Sequence, residues 1–277
     1  MAKRKSRIQL RSGAEADGLR EAGALAAEIL RRSSDLVKPG VTTGEIDAAA
    51  AEMMSERNCK SAFLGYRGFP GNICISMNEE VVHGIGGDRV MNEGEVVKID
   101  VGIVTGDGWI GDNAKSIPVG SISSEDEQLL AVTEESLHRA ISHAVEGEPL
   151  STLCASVEEH VVQFDYTVVK QFVGHGVGRN LHEEPQVPNY WDEDEMRQRR
   201  FKNPRLQAGM VLAIEPMVNA GSDGVKILDD DWTVITEDRR LSAHFEHTVL
   251  VTDSDPEILT PRVRSYHPSK AEAASAA

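Results

Sequence analysis

A chain of 277 residues with 40% hydrophobic and 27% charged residues has the composition of an ordinary globular protein, long enough to bury roughly three-quarters of its surface. Its formal net charge of −16 excludes binding through a basic nucleic-acid footprint, so no DNA partner is expected. Three scattered cysteines, Cys59, Cys74 and Cys154, exclude a disulfide framework or zinc knuckle, and no apolar run reaches the roughly 18 residues that would span a membrane.

The start, MAKRKSR, is basic but leads into no apolar run, so it is not a signal peptide. Residues 1–12 read as a flexible basic segment and the location as cytoplasmic. Helical periodicity follows over 18–38, with Leu19, Ala22, Ala26, Ile29, Leu30 and Val37 on one side and Pro39-Gly40 as the stop. Thr42 and Glu45 make a capping box for a helix through Ile46, Ala50 and Met53. A strand is expected over 73–77 and another over 95–104. A second box, Ser124 with Glu127, opens a helix to about Val145, and Ser151 starts another. Further strands are expected over 168–172, 210–218, 232–236 and 244–251. Residues 191–205 read as an exposed loop or ragged helix, and 263–277 as a flexible tail. The pattern is α+β, a single domain over residues 13–262.

Two segments recur. The chain reads HGIG from His83 and GHGVGRN from Gly174; it reads GEVVKID over 94–100 and GMVLAIE over 209–215. Each half thus carries a glycine-flanked histidine and an apolar strand ending in an acid, which means duplicated halves and not a solenoid of short units. Asp100 and Asp112 are joined by the turn TGDGWIG, so a strand and its return bring both acids onto neighbouring strands. An acid in an apolar strand needs a cation or a proton. For Asp100 alone a salt bridge or strand-end exposure suffices. Four such acids, Asp100, Asp112, Glu215 and Glu246, are hard to satisfy separately, and a shared pair of divalent cations satisfies them together, with His175 as a nitrogen ligand. His244, two before Glu246, reads as a neighbour of the site. No HExxH, dinucleotide loop or nucleophile elbow is present.

GFPGNICISMNEEVVHGI, IDVGIVTGDGWIGDNAKS, GHGVGRNLHEEPQVP, AIEPM and SAHFEHTVLVT together resemble the type I methionine aminopeptidase family, over about residues 13–260. The resemblance implies the pita-bread fold, two α+β halves about a pseudo-twofold axis around a dinuclear metal centre. It implies Asp100 on the first metal, Asp112 and Glu246 bridging both, and His175 and Glu215 completing the second. The metals would be Co, Zn, Mn or Fe(II), since oxygen-rich ligation with one imidazole does not choose among them. His83 and His182 would act on the substrate, His83 at the scissile amide and His182 at the developing oxyanion, while Glu215 relays a proton. Phe63, Tyr66, Phe69, Cys74, Leu181 and Trp232 would hold the methionine side chain. The implied reaction removes N-terminal methionine before a small, uncharged residue by attack of a metal-bridging hydroxide. The implied partners are nascent polypeptide N-termini, met at the ribosome, and a monomer is expected.

Departures from the family pattern fall at Ala114, where a hydroxyl residue is usual, and at Gly102, where threonine is common. Phe63 and Phe69 replace residues that are often smaller or hydroxylated, and 191–205 is several residues longer than typical. These bear on support behind the ligands and on pocket shape. A proline-specific peptidase of the same fold would keep the five ligands but carries a long extra N-terminal domain, for which His83 comes too early. A metal-free binding module of this fold predicts lost ligands, and a purely structural acidic protein leaves the repeats unexplained.

Overall fold

A computed structural model describes residues 8–266; residues 1–7 and 267–277, with most of both expected flexible ends, lie outside the described residues. Helix α1 (Ala14–Ser34) starts four residues earlier than periodicity indicates, because Glu15 and Asp17 suit its first turn as Arg31 and Arg32 suit its last. Helix α2 (Thr43–Glu56) has the expected reciprocal box, Thr42 and Glu45 each satisfying the other's backbone N–H. Helix α3 (Ser124–Ser142) is capped one residue earlier than expected: Ser123, not Ser124, accepts from the Asp126 N–H. Helix α4 (Leu150–Val161) has Pro149 at its cap, which puts Ser151 inside the first turn. Within 191–205 the chain forms α5 (Glu193–Arg199), pinned by buried Met196 and by Asp192 accepting from Glu195 N–H.

The N-terminal half is built on a long hairpin. Strands Val96–Val104 and Ile110–Pro118 pair along nine residues each, and Cys74–Met77 and Lys60–Ser61 share the far edge of the first. One core packs α1 and α2 on this sheet, with Leu19, Ile29, Leu30 and Ile46 fully buried, each contributing roughly 1.5–3 kcal/mol. In the C-terminal half, α3 and α4 cover a second core over two sheets. The larger runs Glu257–Ile258, His247–Leu250, Val211–Ile214, Gly174–Gly176, Glu183–Val187; the smaller runs Ser242–His244, Met217–Asn219, Thr167–Val168.

The expected continuous strands over 210–218 and 244–251 are each broken in two. Ile214 pairs with His247 and Met217 with His244, so the register is the same on both sides and Glu215-Pro216 stands opposite Phe245-Glu246 in the gap. Pro216 has no N–H for the ladder, and the Glu246 N–H is used elsewhere: it donates to Ala114 O at 2.9 Å. That bond belongs to the seam between the halves. Along it, Ser116 Oγ donates to His244 O and accepts from His244 N, both at 2.9 Å. Thr248 Oγ1 donates to Asp112 O at 2.7 Å and accepts from Asp112 N at 3.3 Å. Of the strand expected over 168–172 only Val168 is paired, in Thr167–Val168, and of that over 232–236 only Val234–Thr236.

Both ends of the described chain are docked. Ile8 packs on the second core, and Arg11 forms a 2.8 Å ion pair with Glu183, both side chains about one-tenth exposed. Ser265 and Tyr266 donate their N–H groups to Glu134 at 2.9 and 2.7 Å. The boundaries drawn at 12 and 263 therefore cut through packed segments.

Candidate metal centre and pocket

Strand alternation places the first two acids. Asp100 lies opposite Ala114 and Asp112 opposite Gly102, a two-residue diagonal, so both carboxylates leave one sheet face. Glu215 and Glu246 come from the shared break in the C-terminal ladder. His175 sits in the neighbouring strand, opposite Ala213. Its flanking glycines admit close strands: a Cβ at Gly174 would collide with Ala213 O, and one at Gly176 with Glu184 O.

The side chains converge. His175 Nδ1 donates to Gly176 O at 2.9 Å, which leaves Nε2 at 3.5 Å from Glu215 Oε1 and 3.9 Å from Asp112 Oδ2. Ligand atoms of Asp112, His175 and Glu246 all lie within 4.8 Å of one another. Asp112 and Glu246 are buried; Asp100 and Glu215 keep partial exposure and line the same cavity. Asp100 Oδ1, Asp112 Oδ1 and Glu246 Oε1 are buried without a hydrogen-bond partner. Burial, with the neighbouring carboxylates, pushes Asp100, Glu215 and Glu246 well above the usual carboxylate range, and burial lifts Asp112 to about 7. Burial, then His182, depresses His175 to about 3, keeping the imidazole neutral as a ligand must be. Orphaned buried oxygens around a neutral imidazole fit divalent cations.

From these acids a cavity of about 290 Å³ opens outward, at the small end for ligand pockets and suited to a single side chain. Phe63, Tyr66, Phe69, Cys74, Leu181 and Trp232 line it, together with His83 and His182. Phe69 meets Phe63 and Trp232 edge-on, at 6.5 and 5.1 Å between ring centres. His83 sits in the left-handed region at φ 61°, held from behind by Gly84, whose N–H reaches Ser76 Oγ at 2.9 Å and whose carbonyl accepts from Ile75 N at 2.8 Å. Burial lowers His83 to about 4. His182 is also lowered, by burial and then Arg67; its Nδ1 is hydrogen-bonded to the Tyr66 hydroxyl at 2.9 Å, and its ring lies 4.2 Å from that of His175.

Other contributors escaped sequence reasoning. Gln171, Phe172 and Val173 form a wall at the end of the stretch read as strand and just past it, with Phe172 edge-on to His83 at 5.5 Å; their place just before GHG was the only signal. Asn189 Nδ2 donates to Glu215 O at 3.0 Å, and Arg262 Nη1 to Glu246 O at 2.8 Å. His244, by contrast, is expected beside the site from the sequence, and its Nε2 lies 3.7 Å from Glu215 Oε2.

The model of metallopeptidase family M24 matches residues 17–253. Methionine aminopeptidase 1 of Bacillus subtilis is 46% identical over 242 residues, covering 87% of this chain and 94% of that one. The chain belongs to the methionine aminopeptidases of family M24. The crystal structure of methionine aminopeptidase from Thermotoga maritima superimposes with a TM-score of 0.87 at 37% identity, over 92% of this chain and all of that one. A prolidase from Pyrococcus furiosus superimposes at 0.73 with 22% identity, over 92% of this chain and 66% of that one, a likeness of fold alone. The two halves and their seam are thus the pita-bread fold. As a member of a metallopeptidase family the enzyme uses divalent metal, and the orphaned carboxylates are where its residues suit one. This methionine aminopeptidase has no described helix long and apolar enough to cross a membrane.

Proposed function

We propose that the enzyme removes N-terminal methionine when the second residue is small and uncharged, with two divalent cations held by Asp100, Asp112, His175, Glu215 and Glu246. The observation that carries this is the meeting of four acids and one neutral imidazole at the end of an apolar cavity sized for one side chain. When bound, the cations supply an activated water at neutral pH and polarise the carbonyl. Asp112 and Glu246, one from each half, are the ligands suited to sharing. Co, Zn, Mn and Fe(II) all suit the donor set.

Glu215, which lines the cavity 3.5 Å from His175 Nε2, would take a proton and return it to the leaving amine. His182, with Nδ1 engaged by Tyr66, has Nε2 free to donate to the developing oxyanion, a role worth about 3–4 kcal/mol elsewhere. His83, neutral above about pH 4, lines the same cavity and would contact the scissile amide. The aromatic wall buries a flexible thioether for roughly 1.5–3 kcal/mol. One chain carries the whole site, which supports a monomer; its proposed substrates are nascent N-termini, met in the cytoplasm at the ribosome.

A peptide series Met-X-Ser, with X from Gly to Leu, tests the reading. Release should be fastest for Gly, Ala and Ser and fall at least about tenfold at Leu, since one surplus methylene in a fitted site costs about 1–3 kcal/mol. Equal rates across the series, or no methionine release from any member, would overturn it.

A further inference from the structure

Gly102 shares its sheet face with Asp100, two residues before it, and stands directly across from Asp112. A side chain there would enter the layer that holds the acids. That space is already filled. A Cβ built on Gly102 falls inside contact distance of Phe63 Cε1, and lies 2.7 and 3.0 Å from Cζ and Cδ1 of the same ring.

The backbone carrying the ring is pinned from several sides. Lys60 and Ser61 pair with Val104 and Ile103, and Ala62 N–H donates to Gly102 O itself at 2.9 Å. Ser61 Oγ then accepts from Phe63 N and Leu64 N, both at 2.9 Å, and donates to Asn72 O at 2.6 Å. Phe63 O accepts from Tyr66 N at 2.8 Å. With the backbone held and the sheet behind, pressure from residue 102 leaves the ring one way to yield: into the cavity it lines. The ring is 8% exposed and edge-on to Phe69, so its movement also disturbs the wall that ends at Trp232.

We propose that Gly102 and Phe63 form one specificity-determining unit: the missing side chain at 102 seats the Phe63 ring, and the seated ring sets the width of the cavity at its Asp100 end. The steric coupling stands on geometry alone; the consequence for substrates rests on the function proposed above. A ring at this end leaves room for an unbranched side chain and excludes one branched near the backbone, such as leucine.

The test is a four-protein cycle of wild type, Gly102→Ala, Phe63→Ala and the double variant, read two ways. In metal-free protein, Gly102→Ala should lower Tm by about 4 °C or more in the wild-type background, as overpacking does, and by less than about 1 °C beside Phe63→Ala. In metal-loaded protein of unchanged metal content, Gly102→Ala should raise KM for Met-Ala-Ser about tenfold and change kcat less. Phe63→Ala should raise the ratio of Leu-Ala-Ser to Met-Ala-Ser cleavage at least about tenfold. If Phe63→Ala does not fold, Phe63→Leu takes its place. An equal cost of Gly102→Ala in both backgrounds would show that the ring is not what a side chain at 102 meets. An unchanged leucine-to-methionine ratio would show that the ring does not set the width. Should wild type release no methionine, the functional reading fails, while the Tm cycle still decides the coupling.

Discussion

The two halves bring acids to one cavity by different backbones. In the N-terminal half Asp100 and Asp112 stand in an unbroken hairpin, and alternation alone aims them. In the C-terminal half Glu215 and Glu246 stand in a gap where the ladder opens and then resumes in register. The repeat is real at the strand entries: Gly94 and Gly209 open the two copies with φ of 88° and 93°, a turn that favours glycine. It fails at the histidines, since His175 lies in a paired strand among the acids while His83 is a left-handed loop residue on the cavity wall. Duplication supplied the frame. The break was needed because the C-terminal strands also carry the seam, and the Glu246 N–H cannot serve the ladder while it bonds Ala114 O.

The largest effect expected from unpicking this comparison is loss of metal. Asp112→Ala and Glu246→Ala remove one acid from each half. Both should lose bound metal by mass spectrometry and lose turnover by more than the roughly 10–100-fold typical of groups that only support a ligand; chelation of wild type should do the same. Near-normal turnover in either variant without added metal would mean that one half holds the cations alone.

A smaller effect is expected at the seam. Thr248→Val keeps shape but removes the hydroxyl that brackets Asp112. It should weaken metal binding about 10–100-fold and cost roughly 1–3 kcal/mol of stability. Ser116→Ala, whose hydroxyl meets His244 backbone, should cost stability with little change in metal affinity. Equal metal affinities in the two variants would separate the seam from the acids.

The smallest effect divides the halves by pH. Seven of the eight described histidines lie in the C-terminal half. Away from the acids, His138 and His160 are lowered from 6.5 to about 4, by burial first and then by Arg264 and Arg139 respectively. A depressed imidazole contributes stability that is full above pH 6.5 and is lost as pH falls toward 4, where the folded form protonates. Hydrogen exchange at pH 5 should therefore show α3 and α4 losing protection before α1 and α2. The reverse order would remove these histidines from the account.

Much of this was legible from local chemistry. The Thr42–Glu45 box, the α1 stripe and the hairpin through TGDGWIG are set by residues near one another in sequence, and the structure has all three. The residues read as ligands, histidines and pocket walls come to one cavity, though from motifs and resemblance more than from periodicity. Ser123 displaced Ser124 as cap because two adjacent serines offer equivalent oxygens, and only the backbone path chooses between them.

Sequence by itself determined the duplicated frame, the acid-bearing strands and the family, because apolar periodicity, turn glycines and embedded carboxylates act within a few residues. Tertiary structure alone decided where the C-terminal ladder opens, since that depends on a bond from Glu246 to Ala114 in the other half. It also buried Lys98, a charged residue inside the apolar strand VVKID. Its ammonium donates to Asn78 O at 2.6 Å, with its pKa pushed down by burial to about 7. And it joined Gly102 to Phe63, 39 positions apart: a missing side chain has no meaning until the chain folds and something occupies its place.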